Sequence, residues 1–257
     1  MSIVDKNRVW LIGGTGDSAT VASVLAESNI PLVVTVATAA ARNLYSDMLA
    51  IAGCMNETAM LDFCQQHQIV AVIDASHPYA VEVSRQAIAI TTQLNIPYLR
   101  YERASYSASA NDSGIIELDS FEDLLSGDYL TNRRVLLTVG CKVLPLFKSW
   151  QDKATLFARV LPKIASLETA IASGFTSDRL IAIHPPISIE LETALWQQWQ
   201  ISLVVTKASG KAGGEDIKRQ VAANLGIPLI VITRPQVVYP QQTSDIAVLL
   251  DFCRRFL

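Results

Sequence analysis

The sequence has few charged residues and no long uninterrupted apolar segment. Only 18% of its 257 residues are Asp, Glu, Lys or Arg, the net charge is −3, and no block of Lys and Arg occurs. Nucleic acids and membrane surfaces are bound through clustered positive charge, so we expect no nucleic-acid partner and no membrane partner. The uncharged stretch 28–41 contains Pro31. It is shorter than the roughly 20 residues that a bilayer-spanning helix needs.

Cysteine and histidine are also scarce. The four cysteines form no C-x-x-C pair, and the chain has only three histidines. A structural zinc site needs four such ligands at characteristic spacings, so the sequence predicts no metal site. The N-terminal residues MSIVDKNRVW have no apolar signal core before their charges. We therefore expect a cytoplasmic protein.

Hydrophobic residues are abundant, at 50% of the chain. This content supplies a sizeable core and excludes intrinsic disorder. At about 150 residues per domain, the length predicts one or two domains.

Short β-branched runs alternate with segments of helical length. The predicted strands are 9–12, 32–36, 70–74, 97–100, 135–139, 156–160, 180–184, 203–206 and 229–233. The predicted helices are 17–27, 57–67, 79–94, 144–153, 166–173, 188–200, 215–225 and 244–256. The strands are almost continuously apolar, which indicates burial on both faces of a parallel sheet with helices on either side.

One segment interrupts this alternation. Residues 104–114, ASYSASANDSG, are small and polar and predict a linker. We therefore expect an α/β protein with two Rossmann-like parallel-sheet domains and a cleft between them. The predicted domains are an N-terminal dinucleotide-binding domain, 1–108, and a C-terminal α/β domain, 109–257.

A glycine-rich loop follows the first predicted strand. Gly14, Gly16 and Ala19 fit the G-x-G-x-x-G/A spacing of a dinucleotide loop. Glycine at these positions permits a tight turn and a close approach of a pyrophosphate, and the next helix directs its positive end at the phosphates. A tight turn without any ligand is the alternative. The candidate cofactor contacts here are Gly13, Gly14, Thr15, Gly16, Asp17 and Ser18.

The second predicted strand indicates which nicotinamide nucleotide is preferred. NAD-selective sites usually carry an Asp or Glu at its end, but residues 34–38, VTVAT, contain no acid and Arg42 follows. This pattern favours the 2′-phosphate of NADP, with Arg42 and Thr38 as candidate contacts. Arg42 as a solvated loop charge is the alternative.

The third predicted strand ends in the motif DASHPYA, residues 74–80. Ligands of open α/β sheets bind beyond the carboxyl ends of the strands, which places Asp74, Ser76 and His77 where chemistry is expected. Ser76 and His77 are candidate cofactor contacts, and His77 is also a candidate proton donor or substrate contact. The alternative is that Asp74 or Ser76 caps the next helix and His77 packs.

A second loop, KASGKAGG at 207–214, also joins a strand end to a helix. Its glycines, hydroxyls and lysines suit an anionic ligand, although the order of a P-loop is absent. A flexible surface loop is the alternative. Cations near strand ends can together hold several carboxylates; these are Arg100, Arg103, Lys142, Arg159 and Lys207.

Several motifs together resemble one family, the precorrin-6A reductases, including the cobalt-precorrin-6A reductases of cobalamin biosynthesis. The resemblance is collinear over nearly the whole chain. It is carried by LIGGT (11–15), DASHPYA (74–80), PYLRYER (97–103), LTVG (137–140), ARVLP (158–162), VTKASG (205–210), NLGIP (224–228) and RP (234–235).

The resemblance implies NADPH in the cleft and hydride transfer to a ring double bond of precorrin-6A. It implies a tetrapyrrole substrate rich in acetate and propionate groups, which Arg and Lys bind well. The candidate substrate or phosphate contacts are Arg100, Arg103, Lys207, Ser209 and Gly210. Hand-over contacts with other enzymes of the pathway are a further expectation.

Three alternative functions would make different demands on the sequence. A short-chain NAD(P) epimerase or reductase would have a Tyr-x-x-x-Lys pair, and no tyrosine here has Lys four residues later. A non-catalytic nucleotide-sensing module would not need the loop at Lys207. A methyltransferase of the same pathway would bind a tetrapyrrole without binding NADPH.

Overall fold

The alternation of apolar runs and helical segments folds into two parallel sheets. The computed structural model describes residues 7–45, 48–103 and 114–257. Its contacts divide the chain into two units, the first formed by Met1–Ala104 and Gln236–Leu257 and the second by Ser105–Pro235.

Most strands are short and buried. They are β1 Arg8–Ile12, β2 Leu32–Val36, β3 Ala50–Ala52, β4 Ile69–Asp74, β5 Tyr98–Tyr101, β6 Ile115–Leu118, β7 Arg134–Leu137, β8 Thr155–Val160, β9 Leu180–Ala182, β10 Leu203–Lys207, β11 Leu229–Ile232 and β12 Gln242–Thr243.

Helices connect the strands. They are α1 Gly16–Glu27, α2 Ala39–Arg42, α3 Glu57–Gln66, α4 Val81–Leu94, α5 Phe121–Ser126, α6 Ile164–Ala172, α7 Ile189–Gln198, α8 Glu215–Leu225 and α9 Ile246–Arg254. The 3-10 helices are Asn43–Tyr45, Cys141–Trp150, Ser177–Arg179 and Lys211–Gly213. None of the helices in the described ranges combines the length and apolarity that crossing a membrane requires.

The first sheet has the strand order β12-β5-β4-β1-β2-β3, with parallel pairing throughout. Successive side chains of β1 enter different cores: Val9 and Leu11 pack with α1 and α9, whereas Trp10 and Ile12 pack with α3 and α4. The chain winds in opposite directions from β1 and β4. Ligands of such sheets bind at this switch point, beside the carboxyl ends of β1 and β4.

The second sheet has the order β6-β11-β10-β7-β8-β9 and is also parallel. One of its faces packs against α5, α6 and the 3-10 helix Cys141–Trp150, and the other packs against α7 and α8. Its switch point lies between β7 and β10, so the loop that begins at Lys207 follows a strand beside it.

The structure corrects the predicted C-terminal domain. Residues 109–257 do not form one unit, because β12 pairs with β5 and α9 buries Leu249, Phe252 and Cys253 in the core of the first sheet. β12 covers the edge of β5 that would otherwise expose unpaired backbone groups. The predicted boundary at 108/109 and residues 104–113 of the predicted linker lie outside the described residues.

Two predicted helices also differ from the structure. The segment predicted at 144–153 forms the 3-10 helix Cys141–Trp150, which contains Pro145. Proline has no N–H and clashes with the preceding turn of an α-helix. The helix predicted at 79–94 begins at Val81, with Ala80 as its N-cap and no side-chain cap, so neither Asp74 nor Ser76 caps it.

The assignment of α9 to the first unit is testable. Leu249→Ala should lower the free energy of unfolding by about 2–5 kcal/mol, because Leu249 is completely buried in that core. Val248→Ala is the matched control, and on the exposed face of α9 it should change stability by no more than about 0.5 kcal/mol. Urea unfolding, monitored by circular dichroism, measures the free energy of unfolding of both variants. Equal effects would contradict the packing of α9.

Candidate functional site

The glycine loop joins β1 to α1 at the switch point of the first sheet. Gly14 has a φ of +112°, a conformation that L side chains rarely adopt. Thr15 is the N-cap of α1 and accepts a hydrogen bond from the Ser18 N–H. A Cβ added to Gly14 or Gly16 would meet no atom within 4 Å, so the space above this turn is open. The N–H groups of Gly16 and Asp17, the first two residues of α1, have no partner within the helix and are suited to bind an anion.

Ser18 has a different role from the predicted one. Its side chain is completely buried, and its hydroxyl accepts hydrogen bonds from the N–H groups of Gly14 at 3.1 Å and Thr15 at 2.9 Å. The hydroxyl itself bonds to the Thr15 carbonyl at 2.8 Å. Ser18 therefore shapes the glycine loop from beneath and does not present its hydroxyl to a ligand.

Tyr45 completes this arrangement. Its hydroxyl lies 2.6 Å from Ser18 Oγ and accepts a hydrogen bond of 2.8 Å from the Gly14 N–H. A Cβ on Gly13 would lie 2.5 Å from the same hydroxyl, which explains why glycine occupies that position. No sequence motif connects Tyr45 with the loop, and the sequence analysis missed it.

The structure pairs two predicted site residues, Asp17 and Arg103. Arg103 Nη2 lies 2.9 Å from Asp17 Oδ1, and both side chains are partly exposed. Asp17 is in the first turn of α1, where its negative charge would repel a phosphate. Arg103 offsets that charge.

Thr38 and Arg42 lie beyond the end of β2. Thr38 is the N-cap of α2 and accepts a hydrogen bond of 3.3 Å from the Ala41 N–H, and Arg42 is the last residue of that helix. Both residues are exposed. The chain between Val36 and Arg42 contains no carboxylate.

Asp74 at the end of β4 is the centre of a buried polar cluster. Its Oδ1 accepts hydrogen bonds from the Ser76 N–H at 2.9 Å and from Arg100 Nη1 at 2.9 Å. Its Oδ2 accepts hydrogen bonds from Ser84 Oγ at 2.6 Å and from the Tyr98 hydroxyl at 2.5 Å. Four donors thus satisfy a carboxylate that has no contact with solvent.

Arg100 is a structural residue of this cluster. The prediction that it contacts the substrate or a phosphate is therefore wrong. The guanidinium is completely buried, donates to Glu102 Oε2 from Nε at 2.9 Å and from Nη2 at 2.8 Å, and lies over the Tyr239 ring at 5.3 Å. Its Nη1 also donates to Ser76 Oγ at 3.1 Å. Ser76 is 6% exposed, so its hydroxyl supports the loop and is not presented to a cofactor.

Burial shifts the pKa of both tyrosines of the cluster upward. For Tyr98, burial is the largest cause, and the negative charge of Asp74 raises the pKa further. For Tyr239, burial also raises the pKa more than Arg100 lowers it. Both phenols therefore keep their protons, and Tyr98 remains a donor to Asp74.

His77 lies on the exposed side of the same strand end. Its Nδ1 accepts a hydrogen bond of 3.3 Å from the Tyr79 N–H, and the two rings are 5.7 Å apart. Acceptance at Nδ1 places the proton of the neutral ring on Nε2. The motif DASHPYA thus separates into a buried support, Asp74 and Ser76, and an exposed imidazole.

The lysine loop follows β10 in the second unit. Lys207 is half-buried, its Nζ lies 5.5 Å from the centre of the Phe121 ring, and burial lowers its pKa. The Gly210 N–H donates to Glu215 Oε2 at 2.8 Å. Gly210 and Gly214 have φ values of +63° and +66°, so both positions favour glycine.

Lys218 and Ser209 fix the shape of the same loop. The Lys218 ammonium donates to the carbonyls of Gly213 at 2.8 Å and Gly214 at 3.0 Å, and burial lowers its pKa to about 8. The Ser209 side chain occupies the space that a Cβ on Gly213 would need. The loop that carries Lys207, Ser209 and Gly210 is therefore braced by α8 before any ligand binds.

The predicted residues thus follow the carboxyl ends of strands in two different units. The glycine loop, Thr38, Arg42, His77 and Arg103 belong to the first unit, and Lys207, Ser209 and Gly210 belong to the second. Within the described ranges, no three His, Cys, Asp or Glu side chains are grouped in a way that could hold a metal ion.

The chain matches the family model described as "Precorrin-6x reductase CbiJ/CobK" over residues 8–254. It belongs to the precorrin-6x reductase family. A relative from Synechocystis sp. named "Cobalt-precorrin-6A reductase" is 44% identical over 97% of each chain. One of the same name from Priestia megaterium is 31% identical over 90% of this chain and 92% of its own. The resemblance inferred from the motifs is confirmed.

The fold of this precorrin-6x reductase family member also matches a solved relative. A structure titled "CobK precorrin-6A reductase" superposes with a TM-score of 0.81, at 23% identity, covering 98% of both chains. The prediction of an α/β protein built from two Rossmann-like parallel sheets is confirmed. Membership of this family of oxidoreductases leaves the short-chain, sensing-module and methyltransferase alternatives without support.

The different roles of Arg100 and Arg103 predict different costs of removal. Arg100→Met should lower the free energy of unfolding by about 3–5 kcal/mol, because it leaves the Asp74 carboxylate buried without its ion pair. Arg103→Met breaks an exposed pair with Asp17 and should cost at most about 1 kcal/mol. Denaturant unfolding of both variants measures the difference. Similar costs would contradict the structural role of Arg100.

Proposed function

We propose that this reductase uses NADPH to reduce one ring double bond of precorrin-6A, in the cobalt-containing form, to the dihydro product. The observation that carries the proposal is the family match over residues 8–254, together with a glycine loop at the switch point of the first sheet. The relatives that are 44% and 31% identical bear the name cobalt-precorrin-6A reductase, which favours the cobalt form.

The glycine loop suits the pyrophosphate of a dinucleotide. A Cβ at Gly14 or Gly16 would project into open space, so a phosphate can approach the backbone there. The first-turn N–H groups of α1 and the positive end of its dipole favour an anion at that place. Arg103 offsets the charge of Asp17, which would otherwise oppose the phosphates.

The end of β2 favours NADPH over NADH. No carboxylate is present there to bind the ribose hydroxyls of NADH, and one would repel the 2′-phosphate of NADPH. The exposed Arg42 guanidinium and Thr38 hydroxyl are the groups that we assign to this phosphate. Arginine suits the role because its planar fork of donors matches phosphate geometry.

When bound, the nicotinamide supplies the hydride, and the reduction also consumes one proton. The chain binds the reactants, orients them and excludes water. We assign the substrate carboxylates to Lys207 and Ser209. Gly210 is not part of this assignment, because its N–H already donates to Glu215.

His77 is the candidate proton donor or substrate contact. While its Nδ1 accepts from the Tyr79 N–H, the ring is neutral and its Nε2–H can donate a hydrogen bond to the substrate. To transfer a proton, Nδ1 must first give up that hydrogen bond and take up a proton. Solvent or a substrate carboxyl are equally able to supply the proton.

The activity is tested by following NADPH absorbance with cobalt-precorrin-6A, with the metal-free macrocycle, and with neither. NADPH should be oxidised only when a macrocycle is present, faster with the cobalt form, and NADH should replace NADPH poorly. Oxidation that is independent of the macrocycle, or failure to bind either nucleotide, would refute the proposal. A faster reaction with the metal-free substrate would refute the cobalt assignment alone.

The glycine loop is tested by a size series at Gly16. Gly16→Ala and Gly16→Val should fold normally, because a Cβ there meets no protein atom and the position does not need a positive φ. Affinity for NADPH should fall progressively. For Gly16→Val the loss should reach about tenfold or more, since a charge-assisted hydrogen bond contributes about 1.5–3 kcal/mol. Nucleotide titration measures the affinity, and thermal unfolding controls for stability. Unchanged affinity in a stable Gly16→Val would refute the assignment.

The assignment of Lys207 to a substrate carboxylate predicts that the KM for the macrocycle depends on pH. Burial lowers its pKa, so its positive charge is lost at a lower pH than that of an exposed lysine. The KM for the macrocycle should therefore rise as the pH increases through the lowered pKa of Lys207, because the side chain then loses its charge. Lys207→Met should raise that KM by about tenfold, through loss of a charged hydrogen bond, and remove the pH dependence.

The control for Lys207 is Lys148→Met, which removes an exposed lysine from the 3-10 helix Cys141–Trp150. It should leave the KM for the macrocycle and its pH profile unchanged. Affinity for NADPH should be normal in both variants. A pH profile that persists in Lys207→Met would show that another group titrates.

A further inference from the structure

We infer that Tyr45 is a positioning residue that couples the glycine loop to the segment carrying Thr38 and Arg42. The inference rests on the proposed function, in which these two regions hold the pyrophosphate and the 2′-phosphate of NADPH. Tyr45 is 2% exposed and packs in the core between β1, β2 and α1, so it acts through its neighbours.

The first step of the argument is the set of partners of one hydroxyl. Gly14 N–H donates to Tyr45 Oη at 2.8 Å, and Tyr45 Oη shares a hydrogen bond of 2.6 Å with Ser18 Oγ. Ser18 Oγ in turn accepts from the Thr15 N–H at 2.9 Å. The hydroxyl of Tyr45 therefore fixes the orientation of the peptide groups that shape the loop.

The second step is the position of Tyr45 in the chain. α2, Ala39–Arg42, continues directly into the 3-10 helix Asn43–Tyr45. Thr38 caps the start of this helical segment, Arg42 lies near its middle and Tyr45 is its last residue. A short helical segment moves as one piece, so the bond from Tyr45 to the glycine loop also sets the distance of Arg42 from that loop.

These two steps give Tyr45→Phe an effect that a loss of stability alone does not produce. The ring still fills the core, whereas the link between the loop and the segment is lost. The KM for NADPH should rise by about tenfold with kcat nearly unchanged, because the Gly14 N–H loses the nearer of its two acceptors and the 2′-phosphate contact is misplaced. The KM for NADH should rise less, because NADH has no 2′-phosphate. The preference for NADPH over NADH should therefore narrow.

A double-mutant cycle with Arg42→Ala tests the coupling itself. Arg42→Ala alone should reduce the preference for NADPH. In that background, Tyr45→Phe should raise the KM values for NADPH and NADH by the same factor, because the 2′-phosphate contact is already absent. An equally large additional loss of preference would show that Tyr45 and Arg42 act independently, and would overturn the inference.

Ser18→Ala and Tyr101→Phe complete the experiment. Ser18→Ala removes the hydrogen bond between Ser18 Oγ and the Tyr45 hydroxyl but leaves the one from the Gly14 N–H to Tyr45. It should narrow the preference in the same direction by a smaller factor, which keeps the test decisive if Tyr45→Phe folds poorly. Tyr101 belongs to the same core, and its hydroxyl has no hydrogen bond to the residues that the structure describes. Tyr101→Phe should leave both KM values unchanged.

The outcomes separate this inference from the proposed function. If the wild-type protein binds NADPH and prefers it over NADH, but neither Tyr45→Phe nor Ser18→Ala changes that preference, the coupling is refuted and the proposed cofactor stands. If the two variants only lower thermal stability or raise both KM values equally, the coupling is also refuted. If the wild-type protein binds neither nucleotide, the proposed function fails and the inference fails with it.

Discussion

The buried ion pair between Asp74 and Arg100 is the constraint on which the first unit depends. A carboxylate inside a parallel sheet is costly unless its acceptors are used, and here four donors from β5, α4 and the loop after β4 bind it. The same guanidinium contacts Glu102 and the Tyr239 ring, so the C-terminal segment is attached to the cluster as well. His77 follows Asp74 and Ser76 along the chain, and Arg103 follows Glu102. The buried cluster therefore holds the strand ends from which both exposed side chains extend.

The sequence predicted the central elements well because their signals are local. The bounds predicted for β2 and α8 agree with the structure. β2 is apolar at four of its five residues, and α8 is bounded by Gly214 and Gly226, both in the left-handed conformation. β3, β6 and β12 were not predicted. They are short, and each lacks a continuous buried run. Which sheet β12 joins depends on pairing with β5, which no local pattern encodes.

The candidate site was predictable to the level of its loops but not of its supports. The glycine spacing located the turn after β1, since that pattern has a local geometric cause. Arg100 was misassigned because a sequence does not distinguish a cation at a cleft from one paired with a carboxylate 26 positions away. Tyr45 left no trace in the sequence because its partners Ser18 and Gly14 lie 27 and 31 positions away.

The return of the C-terminal segment to the first sheet has a consequence for biosynthesis. The second unit is encoded by one continuous segment, Ser105–Pro235, whereas the first also needs Gln236–Leu257 for its edge strand and for the helix that covers one face. Domains generally fold as units during synthesis, N-terminal ones first. Here the unit that leaves the ribosome first is completed last. Until then, the edge of β5 and the apolar surface under α9 remain uncovered on the nascent chain.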